Sequence, residues 1–367
     1  MNNKCAVKYK CMNQIKNNLY LLIDGSSELI MCDLLTNKRY FIGKIQRDDS
    51  YFTTSCVAGE KIYYFSYYGN KFCVFDTNNK KLKYVKTDIE LNGKRIGECS
   101  SCVFYKDSIY VLCGPNSIPL IKIDVLSDCT YACSDWISEG IKRYGCIVYS
   151  NTFCNPCIVD NNIWIPTNVP DVIIKYNMDE NIYEFVELLK YNNVYNLIVF
   201  DGKNFWLSGN STIIVKMNYS DVNSIERLEI SDKILIRESI LRKYTFYTGY
   251  IIGDYIYYLP LQSNYLLRVE MSTGNIELIK KINEDNYCFL STELICDGKI
   301  SVCMQIQNDN DKTTSLNMCH ESDFWDFEFD ESDMVYSNAI NIEQNLSTIF
   351  IEKDKKMLNW FLRAVAE

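Results

Sequence analysis

A single histidine, His320, is all that 367 residues contain. A histidine-built metal centre is thereby excluded, and a Ser/His/Asp triad has only one position to draw on. His320 lies in Met318-Cys319-His320-Glu321-Ser322-Asp323, beside an expected turn, and reads as a solvated turn residue. The 6 prolines and 15 glycines are too few for long linkers or low-complexity tracts. No run approaches about 18 consecutive apolar residues, so no membrane span is expected. The segment Met1 to Lys10 lacks the apolar core of a signal peptide. Basic residues are outnumbered, 38 against 47 acidic ones, for a formal charge of −9. General attraction to nucleic acid or to an anionic membrane is therefore not expected. Neither a phosphate-binding Gly-rich loop nor a Gly-x-Ser-x-Gly elbow is present.

What is present is apolar and repetitive. The hydrophobic fraction, 47%, is enough for a sizeable core. The 17 cysteines, with no export signal beside them, read as reduced thiols and point to the cytoplasm. A two-residue signature, a large apolar residue followed by an aromatic, recurs along the chain. Its copies are Leu19-Tyr20, Ile62-Tyr63, Ile109-Tyr110, Ile163-Trp164, Phe205-Trp206 and Ile256-Tyr257, with a degenerate copy at Ile300-Ser301. Successive copies lie 43, 47, 54, 42, 51 and 44 residues apart. A period of roughly 40–50 residues is that of a β-propeller built from four-stranded blades.

Each repeat follows one grammar. A short apolar run suited to an inner strand comes first, as in Leu197-Ile198-Val199-Phe200. An Asn/Asp/Gly turn precedes the signature, as in Asp201-Gly202-Lys203-Asn204. A third strand ends at an acidic or amide residue (Asp76, Asp124, Asn177, Glu270), and a more polar strand closes the unit. The expected fold is all-β, a propeller of about seven four-stranded blades over residues 1–352. A short amphipathic helix is expected over 353–367, with Met357, Leu358, Phe361, Leu362 and Val365 on one face. The segment from Ile340 to Ile351 is expected to supply a closing strand or to pack outside the ring.

This grammar resembles kelch-type and YVTN-type β-propellers over most of the chain. Kelch Gly-Gly doublets and the Gly-His and Trp-Asp pairs of WD40 blades are absent. The resemblance implies a ligand or partner bound at the mouth of the central channel. It carries no functional residue across, because such folds host enzymes and scaffolds alike.

Two Cys-x-x-Cys pairs, Cys99/Cys102 and Cys154/Cys157, have the ligand count of a zinc site. Cys56, Cys102 and Cys157 precede their signatures by six or seven residues and read instead as equivalent buried inner-strand positions. In an extended strand, residues three apart should also face opposite sides. The run Asn308-Asp309-Asn310-Asp311 lacks the glycine and distal glutamate of a calcium loop and reads as a polar loop. No metal and no cofactor is expected.

The cations are more informative. Linkers between blades carry Arg47, Lys94-Arg95, Lys142-Arg143-Tyr144, Lys190-Tyr191 and Arg242-Lys243-Tyr244. Loops between second and third strands add Tyr67, Tyr68, Asn116, Asn168, Asn210 and Gln262. In a propeller these segments share one face, where converging Arg side chains suit carboxylate or phosphate. The candidate binding residues are Arg95, Arg143, Tyr144, Arg242, Tyr244 and Tyr67. The chain reads as a monomeric, non-catalytic binding or scaffolding module for a protein or a small anionic ligand. The alternative is a glycosidase- or lyase-type enzyme with carboxylates or a Tyr/Arg set in the channel.

Overall fold

The computed structural model describes residues 9–326, except 24–26, 37, 46–51, 67–70, 88, 98, 115–116, 147–153, 189–191, 231–243, 282–285, 297–298, 309–312 and 320–323. The expected closing strand at 340–351, the helix at 353–367, His320 and most of the Asn308–Asp311 loop lie outside the described residues.

The described strands form seven four-stranded antiparallel sheets, each made from four consecutive strands of the chain. Six have side chains described along nearly all their strands, and the seventh, from Asn286 to Asp326, is described mainly through its backbone. The first strand of each sheet is innermost. Inner strands of neighbouring sheets touch from the fourth sheet round through the seventh and first to the third, and the third and fourth sheets meet through the core between them. The fold is an all-β propeller.

The signature works as a packing device. Neighbouring residues on a strand point to opposite faces, so a two-residue motif serves both neighbours of a blade. Leu19 packs toward the seventh sheet and Tyr20 toward the second. The pattern repeats at Ile62 and Tyr63, Ile109 and Tyr110, and Ile163 and Trp164. Phe205 and Trp206, then Ile256 and Tyr257, continue it around the ring. The first residue of all six copies is 0% exposed. Seven hydrophobic clusters thus lie between neighbouring sheets, one at each interface.

No strand is exchanged between the first and seventh described sheets. Side chains close that seam instead. Gln14 Nε2 donates to the carbonyl of Ile295 at 2.5 Å, and the Ile295 amide donates back to Gln14 Oε1 at 2.6 Å. Met12, Leu294 and Cys303 fill the space behind this clamp.

One end of the propeller, the turn face, is nearly periodic. The residue three before each of the six full signatures has positive φ: Lys16, Gly59, Lys106, Asp160, Gly202 and Gly253. Where glycine is absent, the side chain makes a bond to a neighbouring blade. Lys16 pairs with Glu60 at 2.8 Å, Lys106 with Asp179 at 2.9 Å, and Asp160 accepts from the Tyr219 hydroxyl at 2.7 Å. An alanine at such a site keeps the left-handed strain and loses the bond. We therefore expect Asp160→Gly to be more stable than Asp160→Ala by about 1 kcal/mol in urea unfolding, and the reverse order would contradict this role.

The acidic residues that end the third strands are turn formers. Asp33, Asp76 and Asp124 each accept two backbone amides of the turn that follows, as does Asn177. The amide bonds from Thr36 and Ser127 hold the carboxyls of Asp33 and Asp124 below their usual range. The next residue of each repeat donates its amide back to the hairpin, as Leu34 does to Asn17, Thr77 to Glu60 and Val125 to Asp107. Met178, Tyr219 and Met271 do the same in the following blades.

Candidate functional site

The opposite end, the linker face, is irregular. The chain crosses from one blade to the next there, and it carries the insertions. Residues Glu90–Leu91 and Lys94–Arg95 form a two-stranded hairpin turning through Asn92 and Gly93, both with positive φ. Residues Ile137–Tyr144 form the one helix among the described residues. This helix accounts for the longest signature spacing, the 54 residues from Ile109 to Ile163. The sequence reading placed Lys142-Arg143-Tyr144 in a plain linker. The segment is helical because Ile137, Gly140 and Tyr144 fall on one face over buried Trp136, and Gly145 ends it in a left-handed cap.

The hairpin and the helix are joined. Lys94 Nζ lies 2.9 Å from Asp135 Oδ2, with the two side chains 24% and 5% exposed. The other oxygen of Asp135 accepts the amide of Ile137, the first helical residue, at 3.0 Å. Ile96 is buried just past the hairpin, and the carbonyl of Arg95 accepts the Ile118 amide at 3.1 Å. Together these contacts make one platform over the third and fourth sheets.

The helix reaches the outer strand of the fourth sheet, Ile182–Glu187. Arg143 Nη2 and the Tyr144 hydroxyl both bond Glu187 Oε1, at 2.9 and 3.0 Å. The Arg143 guanidinium also lies over the rings of Tyr144 and Phe185. The Tyr183 hydroxyl donates to Glu139 at 2.7 Å. Burial, then the bond to Glu187, pushes the Tyr144 hydroxyl up to about 12. Tyr144 therefore stays protonated and donates throughout the physiological range.

The predicted residues are placed as follows. Arg143 and Tyr144 are brought together on one carboxylate at the outer rim, away from the inner strands. Arg95 is on the joined hairpin, with its side chain 84% exposed and its nearest carboxylate, Glu90, at 3.8 Å. Tyr244 is buried in the linker before the sixth sheet. The adjacent Thr245 carbonyl accepts the amides of Leu261, Gln262 and Ser263, which ties that linker to a loop. Tyr67 and Arg242 lie outside the described residues, as do Arg47, Tyr68, Asn116, Lys190, Tyr191 and Lys243.

Beneath the same face lies a polar core of which the sequence reading had named only Gln262. Asp171 is buried and accepts the Asn192 amide at 2.5 Å, with the Asn193 amide and the Tyr195 hydroxyl at 3.3 Å. Asn193 Nδ2, Ser208 Oγ and Gln262 Nε2 are buried nearby with no bonding partner among the described residues. The only sequence signal was the density of Asn, Ser and Gln in these loops, which composition alone made unremarkable.

The cysteines need one correction. Cys56 pairs across its hairpin with Tyr63 and Cys157 with Trp164, but Cys102 pairs with Val111 rather than Tyr110. Cys102 is therefore one residue out of step, as its seven-residue offset already recorded. A β-bulge between Cys99 and Ser101 also returns Cys99 and Cys102 to the same side, against expectation. Both pack in the core between the second and third sheets. Cys154 is buried, its Sγ donating to the Pro166 carbonyl at 3.8 Å.

No family model and no curated protein matches the chain. Among solved structures it is similar to the computationally designed Ika8 protein, at 7% identity and a TM-score of 0.55, over 89% of this chain and 98% of that one. It is also similar to BamB from Moraxella catarrhalis, at 11% identity and a TM-score of 0.50, over 85% of each chain. At such identities these likenesses are of fold alone.

Proposed function

We propose that this propeller is a non-catalytic binding or scaffolding module whose linker face recognises a protein or an anionic ligand. The observation that carries the reading is the contrast between the two ends. The turn face repeats the same turns and hydrogen bonds from blade to blade and spends its polar side chains on them. The linker face breaks the repeat with a hairpin and a helix, and presents Arg95, Lys142 and Arg143 as exposed cations on an acidic protein. Irregular segments on a rigid scaffold are where binding residues concentrate. The resemblance to kelch-type and YVTN-type propellers in repeat grammar agrees with a binding role. We read the module as a cytoplasmic monomer, in keeping with its 17 cysteines.

The test is affinity capture with purified protein, followed by replacement of Arg95, Arg143 and Arg242 together by alanine. Loss of the captured ligand is expected, with stronger loss of wild-type binding as salt rises. Lys203→Ala, on the turn face, should leave capture intact. A triple variant that keeps every wild-type partner removes the proposal.

A further inference from the structure

An opening lies at the turn face, where the inner strands of the first and second sheets run into their hairpins beside the inner strand of the seventh. It is a cleft of about 510 Å³, within the range of small-molecule sites. Its walls are of three kinds. Val57 and Ile295 are apolar, and Ile295 keeps 55% of its surface exposed. Asn13 and Gln14 are amides already committed, Asn13 to Ser55 and Gln14 to the Ile295 backbone, so this wall is fixed in place. The charged pair is Lys16 and Glu293. Lys16 is held by Glu60 at 2.8 Å, which leaves the Glu293 carboxylate with no cation among the described residues.

We propose that this cleft binds a small organic ammonium ion, with the charged head on Glu293 and a short apolar body against Val57 and Ile295. A carboxylate beside apolar walls lacks part of its hydration, and an ammonium donor restores it with a charge-assisted bond. Partial burial does push the Glu293 carboxyl above its usual range, although the side chain as a whole remains exposed. Lys16 repels a cationic ligand less than its charge suggests, because Glu60 neutralises it.

The test uses n-butylammonium chloride as the probe and 1-butanol as its neutral counterpart, titrated calorimetrically into the full chain near neutral pH. Saturable binding of butylammonium is expected, with butanol weaker by about tenfold or more. Glu293→Gln should lose butylammonium binding by a similar factor with its circular dichroism unchanged, and Glu293→Asp should restore part of it. Affinity should fall on acidification, beginning at higher pH than for an ordinary carboxylate, because protonation removes the charge. The triple arginine variant of the linker face should bind the probe as wild type does. Equal binding by Glu293→Gln, equal binding of butanol, or no saturable binding by the folded wild type would each overturn the proposal.

Discussion

Replacing Phe205 by alanine should cost about 3–5 kcal/mol, a large share of the stability of any domain. Phe205 is 0% exposed and packs between the fourth and fifth sheets. Its ring centroid lies 4.5 Å from Trp164, 5.0 Å from Phe200 and 5.6 Å from Tyr219. Alanine removes the shared member of three aromatic contacts, and β-strands on both sides prevent the cavity from collapsing. Trp164 belongs to the preceding copy of the signature, so the loss is felt across the interface rather than inside one blade. Equilibrium unfolding in urea measures it. A cost below about 1 kcal/mol would mean that the signature does not hold neighbouring blades together.

Asp135→Ala should cost about 2–3 kcal/mol and loosen the hairpin–helix platform. Two interactions end on this carboxylate, the pair with Lys94 at 2.9 Å and the amide of Ile137 at 3.0 Å. Removing it strands a mostly buried ammonium and leaves the amide of Ile137 without its acceptor. The figure sits below that for a fully buried pair because Lys94, at 24% exposure, regains part of its hydration. Asp135→Asn keeps an acceptor for Ile137 and loses the ion pair, so it should fall between wild type and alanine. Trp136 is fully buried beside this site, 6.2 Å from Tyr176 and 6.1 Å from Tyr183, and its near-ultraviolet signal should weaken with the platform. An unchanged signal and unchanged stability would show that the platform stands without the Lys94–Asp135 link.

The repeat was legible because its cause is local. Adjacent side chains on a strand must face opposite neighbours, so every blade needs the same two-residue pair, and Leu19-Tyr20 through Ile256-Tyr257 record that need directly. The turn residues were legible for a similar reason, since left-handed positions select Gly, Asp or Asn. Lys106 escaped notice because its presence is explained by a partner, Asp179, in the next blade.

The candidate site was less legible. Lys94, Arg95, Lys142 and Arg143 do lie between blades, but where a linker goes depends on contacts distant in sequence. Glu187, Glu139 and Asp135 draw the helix to the outer strand of the fourth sheet, and nothing near Arg143 announces this. Tyr244 is likewise buried, beside Thr245, which bonds loops of the fifth and sixth sheets. The seam between first and seventh sheets rests on Gln14 and Ile295, 281 residues apart, and no local pattern marks such a pair. The β-bulge at Cys99 inverted the expected facing of a cysteine for the same reason: one extra residue is invisible until the strand is paired.

Hydrogen–deuterium exchange on the captured complex tests most directly the division between a structural turn face and a binding linker face. Partner binding is expected to slow exchange in residues 90–97 and 135–145, with the hairpins at 16–18, 59–61 and 106–108 unchanged. Protection confined to those hairpins, with the hairpin–helix platform unaffected, would contradict that division.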